Sequence, residues 1–271
     1  MKRFHVKNFR LPVALLFFLI TVFFAWTFAE APFSEFVNSL ILNGGTTLSA
    51  LIAAVIFTFI PAFFTREEPP RMIWTSFAVC LWLWVVAEAI WGYLYIRDGE
   101  VPVFSIADIF WLAGYIALTV SLARQFRLVL FAQKETIAWV ALSVWLALLI
   151  VITVILLVIR SETPLADFFS YFYLLADALI GLLALYLVYA FRGRALAIPW
   201  LTISSFVISD FIYIRLTESG VYDYVMSGIS IALLADTLYL IAYLLVAWGG
   251  LEQYLLLRSN ADHFHDSNWP R

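Results

Sequence analysis

The sequence predicts an all-α, polytopic membrane bundle, with eight transmembrane helices arranged as two parallel four-helix repeats. Three observations predict it. Hydrophobic residues make up 64% of the chain and charged residues 13%, whereas a soluble domain is about half apolar and a quarter charged. The apolar residues gather in runs long enough to cross about 30 Å of hydrocarbon at about 1.5 Å per residue. A short acidic and aromatic motif also occurs twice, deep inside those runs.

The predicted spans are, in order, Leu11–Phe28, Thr46–Phe64, Met72–Ile96, Ile106–Phe126, Ile137–Ile159, Phe168–Phe191, Trp200–Ile214 and Gly228–Leu256. The first begins after a basic start and ends near Ala29-Glu30-Ala31, as a cleaved signal peptide would. Its apolar core is long for that role, so a retained helix is expected. The seventh is short and is expected to extend into the loop that follows it. The whole of 1–256 reads as one transmembrane domain, with one repeat over about 11–130 and a second over about 137–256. Residues 257–271 read as a cytoplasmic tail.

Basic residues set the expected orientation. Lys2, Arg3, Lys7, Arg10, Arg66, Arg71, Arg124, Arg127, Lys134, Arg192, Arg194, Arg258 and Arg271 fall on one side; Arg97, Arg160 and Arg215 fall on the other. The richer side is expected to be cytoplasmic, with both termini there and the chain in the inner membrane of a prokaryote. The net charge of -3 says little beside this distribution.

The repeated motif is Ala107-Asp108-Ile109-Phe110-Trp111-Leu112-Ala113-Gly114-Tyr115, which recurs as Ala235-Asp236-Thr237-Leu238-Tyr239-Leu240-Ile241-Ala242-Tyr243. Each copy places a carboxylate, a ring and a tyrosine on one helical face. At the same offset Leu51-Ile52 meets Leu179-Ile180, Ala62-Phe63 meets Ala190-Phe191, and Arg66 meets Arg194. Each half has an even number of spans, so the repeats are expected to be parallel. Between the third and seventh helices the register is open. Tyr95-Ile96-Arg97 matches Tyr213-Ile214-Arg215, whereas by chemistry Glu88 pairs with Asp210.

Five carboxylates lie within or beside apolar runs: Glu88, Asp108, Asp177, Asp210 and Asp236. A charge there costs several kcal/mol unless it is compensated. At about 1.5 Å per residue, Asp177 stands about 22 Å from Arg192, Asp108 about 24 Å from Arg124 and Glu88 about 25 Å from Arg71. Asp236 stands about 33 Å from Arg258, and Asp210 about 16 Å from Pro199. Asp210 is thus nearest mid-membrane, and the five are expected to converge on one outward-facing cavity. Trp91, Trp111, Tyr115, Tyr213, Tyr239 and Tyr243 are the expected walls. Such an acidic and aromatic site suits a cationic or amphipathic small molecule or lipid. The plainer readings are an N-terminal cap for Asp108, after Pro102 and Ser105, and links to neighbouring Ser, Tyr or Trp for Glu88 and Asp210. Tyr171 and Tyr173 precede Asp177 and are placed to satisfy it.

Several chemistries are excluded. No lysine lies in any span, so a retinal Schiff base has no attachment point. His5, His263 and His265 lie in the terminal tails, leaving no imidazoles for haem or a histidine-ligated zinc. Glycine-rich phosphate loops and Gly-x-Ser-x-Gly elbows are absent. Cys80 lies in an apolar run and reads as a packing residue. No cofactor, metal ion, catalytic residue or nucleic-acid partner is expected.

Two resemblances follow. The segments Ala87-Glu88-Ala89-Ile90-Trp91, Pro102-Val103-Phe104-Ser105-Ile106-Ala107-Asp108, Ile208-Ser209-Asp210 and Leu234-Ala235-Asp236-Thr237-Leu238-Tyr239 resemble a region common in bacterial signalling proteins. That region is the multi-helix membrane part preceding diguanylate cyclase, PAS or histidine kinase domains. Here Val103-Phe104 separates the proline from the serine, and about fifteen residues follow Leu256. The resemblance implies a stand-alone membrane sensor that signals through a separate output protein. Phe206-Val207-Ile208-Ser209-Asp210 is also similar to a segment of lysoplasmalogenase-like membrane hydrolases, which implies Asp210 with Asp236 or Asp177 as acid and base. A third expectation, drawn from the parallel duplication, is a transporter or an accessory subunit of a membrane complex. Corresponding helices lack the glycine or proline breaks usual in transporters.

Overall fold

Backbone amides in hydrocarbon have no water to bond, so apolar runs close their hydrogen bonds internally as helices. A computed structural model describes residues 9–99, 101, 104–130, 164–191, 195–218 and 230–266. Among these the regular structure is entirely helical: α1 (Arg10–Glu30), α2 (Glu35–Phe59), α3 (Pro69–Asp98), α4 (Ile106–Leu130), α5 (Pro164–Ala190), α6 (Ile198–Glu218) and α7 (Ile231–Asp266). Short 3-10 turns, Ile60–Phe63 and Ala195–Ala197, extend α2 and precede α6. Among the described residues six helices are long and apolar enough to cross a membrane; α6 carries a shorter apolar stretch, Ile198–Tyr213. The chain is therefore built as a multi-pass membrane protein. The expected span Ile137–Ile159 lies outside the described residues.

The helix ends follow local chemistry. Pro69 and Pro70 open α3, where the missing N–H costs nothing. Gly99 closes it at φ 77, its N–H bonding the Tyr95 carbonyl. Between α1 and α2, Asn38 closes the turn by bonding both the N–H and the carbonyl of Phe33. Ser34 caps α2 through the Val37 N–H. Helix α2 therefore starts at Glu35, well before the expected Thr46, because Gly44 and Gly45 interrupt the hydropathy without breaking the helix.

Hydroxyls inside the helices are satisfied locally. Thr27, Thr47, Ser49, Thr58, Thr75 and Thr119 each donate to the carbonyl four residues back. Small residues set the close crossings, since lipid is as apolar as any side chain. Ala50, Ala53 and Ala54 on α2 are wholly buried. On α7, Gly249 meets Pro199 and Thr202, and Gly250 meets Phe57. Stacked rings fill the middle, among them Phe57 on Phe77 and Trp74 on Trp200. Leucine, isoleucine and phenylalanine side chains cover the outside, as on Leu11, Ile116 and Leu182.

Neighbour relations recur along the chain. Helix α3 packs between α2 and α4, and α6 packs between α5 and α7. Helix α2 also meets α7, as α4 meets α5, the latter much more sparsely. Helix α1 is peripheral: it touches α2 and α7 and buries only Phe24, Thr27 and Phe28.

Candidate functional site

Four of the five singled-out acids are held by phenols from other helices. Glu88 on α3 is buried and accepts from Tyr243 at 2.8 Å and Tyr239 at 3.1 Å, both on α7. Asp177, midway along α5, is buried and accepts from Tyr115 of α4 at 2.5 Å. The same hydroxyl stands 3.4 Å from Asp210 of α6. Asp108, near the start of α4, accepts from Tyr173 of α5 at 2.8 Å.

Asp108 also does what its position predicts. Its Oδ2 accepts from the Ser105 N–H at 2.7 Å, while the Ser105 hydroxyl accepts from the Ala107 N–H. The two residues form a reciprocal cap on α4. Capping and cross-helix bonding are thus done by different oxygens of one carboxyl. Tyr173 goes to Asp108 and not to Asp177, its neighbour one turn along α5, as the sequence had been read to imply.

The carboxyls of Asp177 and Asp210 converge on the one Tyr115 hydroxyl, which stands within reach of both. The second oxygen of Asp177 is buried without a donor. Trp84, beside Tyr115, stacks on Phe206, which packs on Tyr239 and Tyr243, so the Glu88 site and the Asp177–Asp210 site share one ring cluster.

Rings fill the space between the acids. Trp84 stacks on Phe206 with centroids 4.8 Å apart. Trp84 meets Tyr115 edge-on at 5.6 Å, and Phe206 meets Tyr243 edge-on at 4.9 Å. The Trp84 indole donates to the Trp111 carbonyl. Trp111 packs on Trp91 and presents its own Nε1 toward Glu88 without completing a hydrogen bond. Ser209 donates to the Leu238 carbonyl, tying α6 to α7 directly beside Asp210.

Asp236 stands elsewhere. It is half-buried in the second turn of α7, in the field shared by Tyr95 and Glu35. Tyr213 is half-buried, one turn beyond Asp210. Tyr173, Trp84, Phe206 and Ser105 belong to the network although the site reading omitted them. Tyr173 had a signal, since it lies four residues before Asp177 on the same helical face. Phe206 had the same relation to Asp210. Among the described residues, no group of three or more acidic, histidine or cysteine side chains is arranged to hold a metal ion. No family model, curated protein or solved structure matches the chain.

Proposed function

We propose that this chain is a membrane sensor whose acid–phenol network takes a cationic or amphipathic ligand and whose response passes to a partner protein. The observation that supports it is the α4–α5 seam. Those helices share little packing, yet Tyr115–Asp177 and Tyr173–Asp108 bridge them. A seam held by two polar clasps has two discrete states, closed and open, and a ligand biases it by competing for the same oxygens. The duplicated architecture belongs to this reading: Tyr115 reaches Asp210 and Tyr243 reaches Glu88, each tyrosine crossing to the other half.

The test uses spin labels at Ile116 on α4 and Leu182 on α5, both lipid-exposed, in a Cys80→Ala background in nanodiscs. Choline chloride and lysophosphatidylcholine are the probes. At least one probe is expected to shift the distance distribution, and Tyr115→Phe to shift the resting distribution in the same direction. One unchanging distribution under both probes and in Tyr115→Phe refutes the sensor.

The proximity of Asp177 to Asp210 favours one second reading, a lipid hydrolase with the pair as acid and base. Its test is release of fatty acid or headgroup from lysophospholipid vesicles, lost in Asp210→Asn.

A further inference from the structure

The two halves build comparable sites with unequal numbers of acids. In one, Glu88 receives two phenols, Tyr239 and Tyr243, and no second carboxylate adjoins it. At the offset relating the two motif copies, Tyr115 takes the place of Tyr243 and Trp111 the place of Tyr239. Ser49 takes the place of Asp177; it is buried and donates to its own helix, at the Gly45 carbonyl. The second site therefore has one acid more and one donor fewer. Tyr115 serves Asp177 and Asp210 together, and the Trp111 Nε1 bonds neither. Asp177 is 3% exposed, and its Oδ2 is without a donor.

The groups bearing on the pair are Tyr115 from α4, Tyr173 from α5, Glu88 from α3, and Tyr239 and Tyr243 from α7. All are acids or phenols. The ion pairs among the described residues, Arg10–Glu252 and Arg97–Asp98, lie elsewhere. A doubled carboxylate in hydrocarbon, short of donors, is a place where a monovalent cation, a proton or a metal ion, lowers the cost of the charge.

We infer that Asp177, Asp210 and the Tyr115 oxygen form a site for a monovalent alkali cation, which enters as a proton carried by one of the two carboxyls leaves to water. The exchange conserves charge. The pair is singly negative with the proton and singly negative with the cation, so the membrane interior sees no net change. A divalent ion would alter that charge by one. This inference rests on the sensor reading and names the ligand of its site.

The test uses the purified full chain in nanodiscs at constant ionic strength, with lithium, sodium or potassium chloride against N-methylglucamine chloride. Two quantities are read: unfolding temperature, and the infrared carbonyl band of a protonated carboxyl. The wild type is expected to gain stability with at least one alkali ion, its folded-to-unfolded ratio rising about tenfold per decade of cation above saturation. The carboxyl band should fall in parallel. Asp177→Ser, which copies the other half, should abolish both effects, and Asp177→Asn serves if the serine variant does not fold. Glu67→Gln, at an exposed carboxylate outside the network, should retain both. Indifference of the wild type to all three ions overturns the inference, leaving a proton-only pair. Equal responses in Asp177→Ser, or stronger stabilisation by calcium or magnesium, also overturn it. Alkali binding with an unmoved α4–α5 distance would uphold the cation site and sink the sensor.

Discussion

Gly114 is the most exacting position in the network, and Gly114→Ala tests its packing. A methyl group there would stand 2.3 Å from Trp84 Nε1 and 2.4 Å from its Cδ1. Ordinary contact is about 3.5–4.0 Å, so the indole must retreat by about 1 Å or more. It has nowhere to go. The ring is 2% exposed, stacked on Phe206 and edge-on to Tyr115, with its N–H on the Trp111 carbonyl. Overpacking costs about 1–3 kcal/mol, and loss of an interhelical hydrogen bond in a membrane adds about 0.6 kcal/mol. Gly44 provides the control, since nothing lies within 4 Å of the methyl it would gain. Both substitutions gain the same helix propensity. Gly114→Ala should therefore be less stable than Gly44→Ala by about 2–4 kcal/mol. Reversible unfolding in mixed micelles, followed by circular dichroism, measures the difference. Adding Trp84→Phe should recover part of the loss, because the smaller ring lacks the atoms that clash. Equal stability of the two alanine variants, or no rescue, would refute the argument. The same place in the second motif copy is held by Ala242.

Other outcomes follow from the same contacts. Tyr115→Phe should destabilise the fold by about 0.5–1.5 kcal/mol, measured by the same unfolding assay, because it strips Asp177 of its phenol. The double variant Tyr239→Phe/Tyr243→Phe should cost more than the sum of its two single variants, because Glu88 keeps one phenol until both are gone; a double-mutant cycle reads this coupling. Arg10→Ala should change stability by no more than about 1 kcal/mol, and raising salt should shrink the effect. Its pairing with Glu252 is half-exposed on the arginine side. Ser105→Ala should fray the first turn of α4 at a cost of about 1 kcal/mol, seen as faster amide exchange there.

Hydropathy made the helical membrane architecture legible, because twenty apolar residues admit little else. Its weak point was α2. Asn38, Asn43 and the Gly44-Gly45 pair lower the local hydropathy, but their polar atoms are absorbed by neighbouring backbone and the helix runs through them. The acids were legible one at a time, since any carboxylate in an apolar run stands out. Their partners were not. Tyr173 sits one turn from Asp177 yet crosses to Asp108, a choice made by the placing of α4 against α5 and invisible in either helix alone. Periodicity also treated the motif copies alike, whereas Asp108 caps its helix and joins the network, and Asp236 lies in the second turn of α7 beside Tyr95.

Helix α7 has a mechanical consequence. Its 36 residues form one helix, about 54 Å long at about 1.5 Å per residue, far more than the hydrocarbon requires. The phenols that grip Glu88 sit near one end, and the other end runs on past Glu252. From Tyr243 to Asp266 the rod measures about 35 Å, so a tilt of about 5° about Tyr243 would sweep its tip by about 3 Å. Gly249 and Gly250, the pair at which such a rod would ordinarily bend, are wedged against Pro199, Thr202 and Phe57. The rod is braced where it would flex, so a small displacement at the phenols would reach its far end undamped.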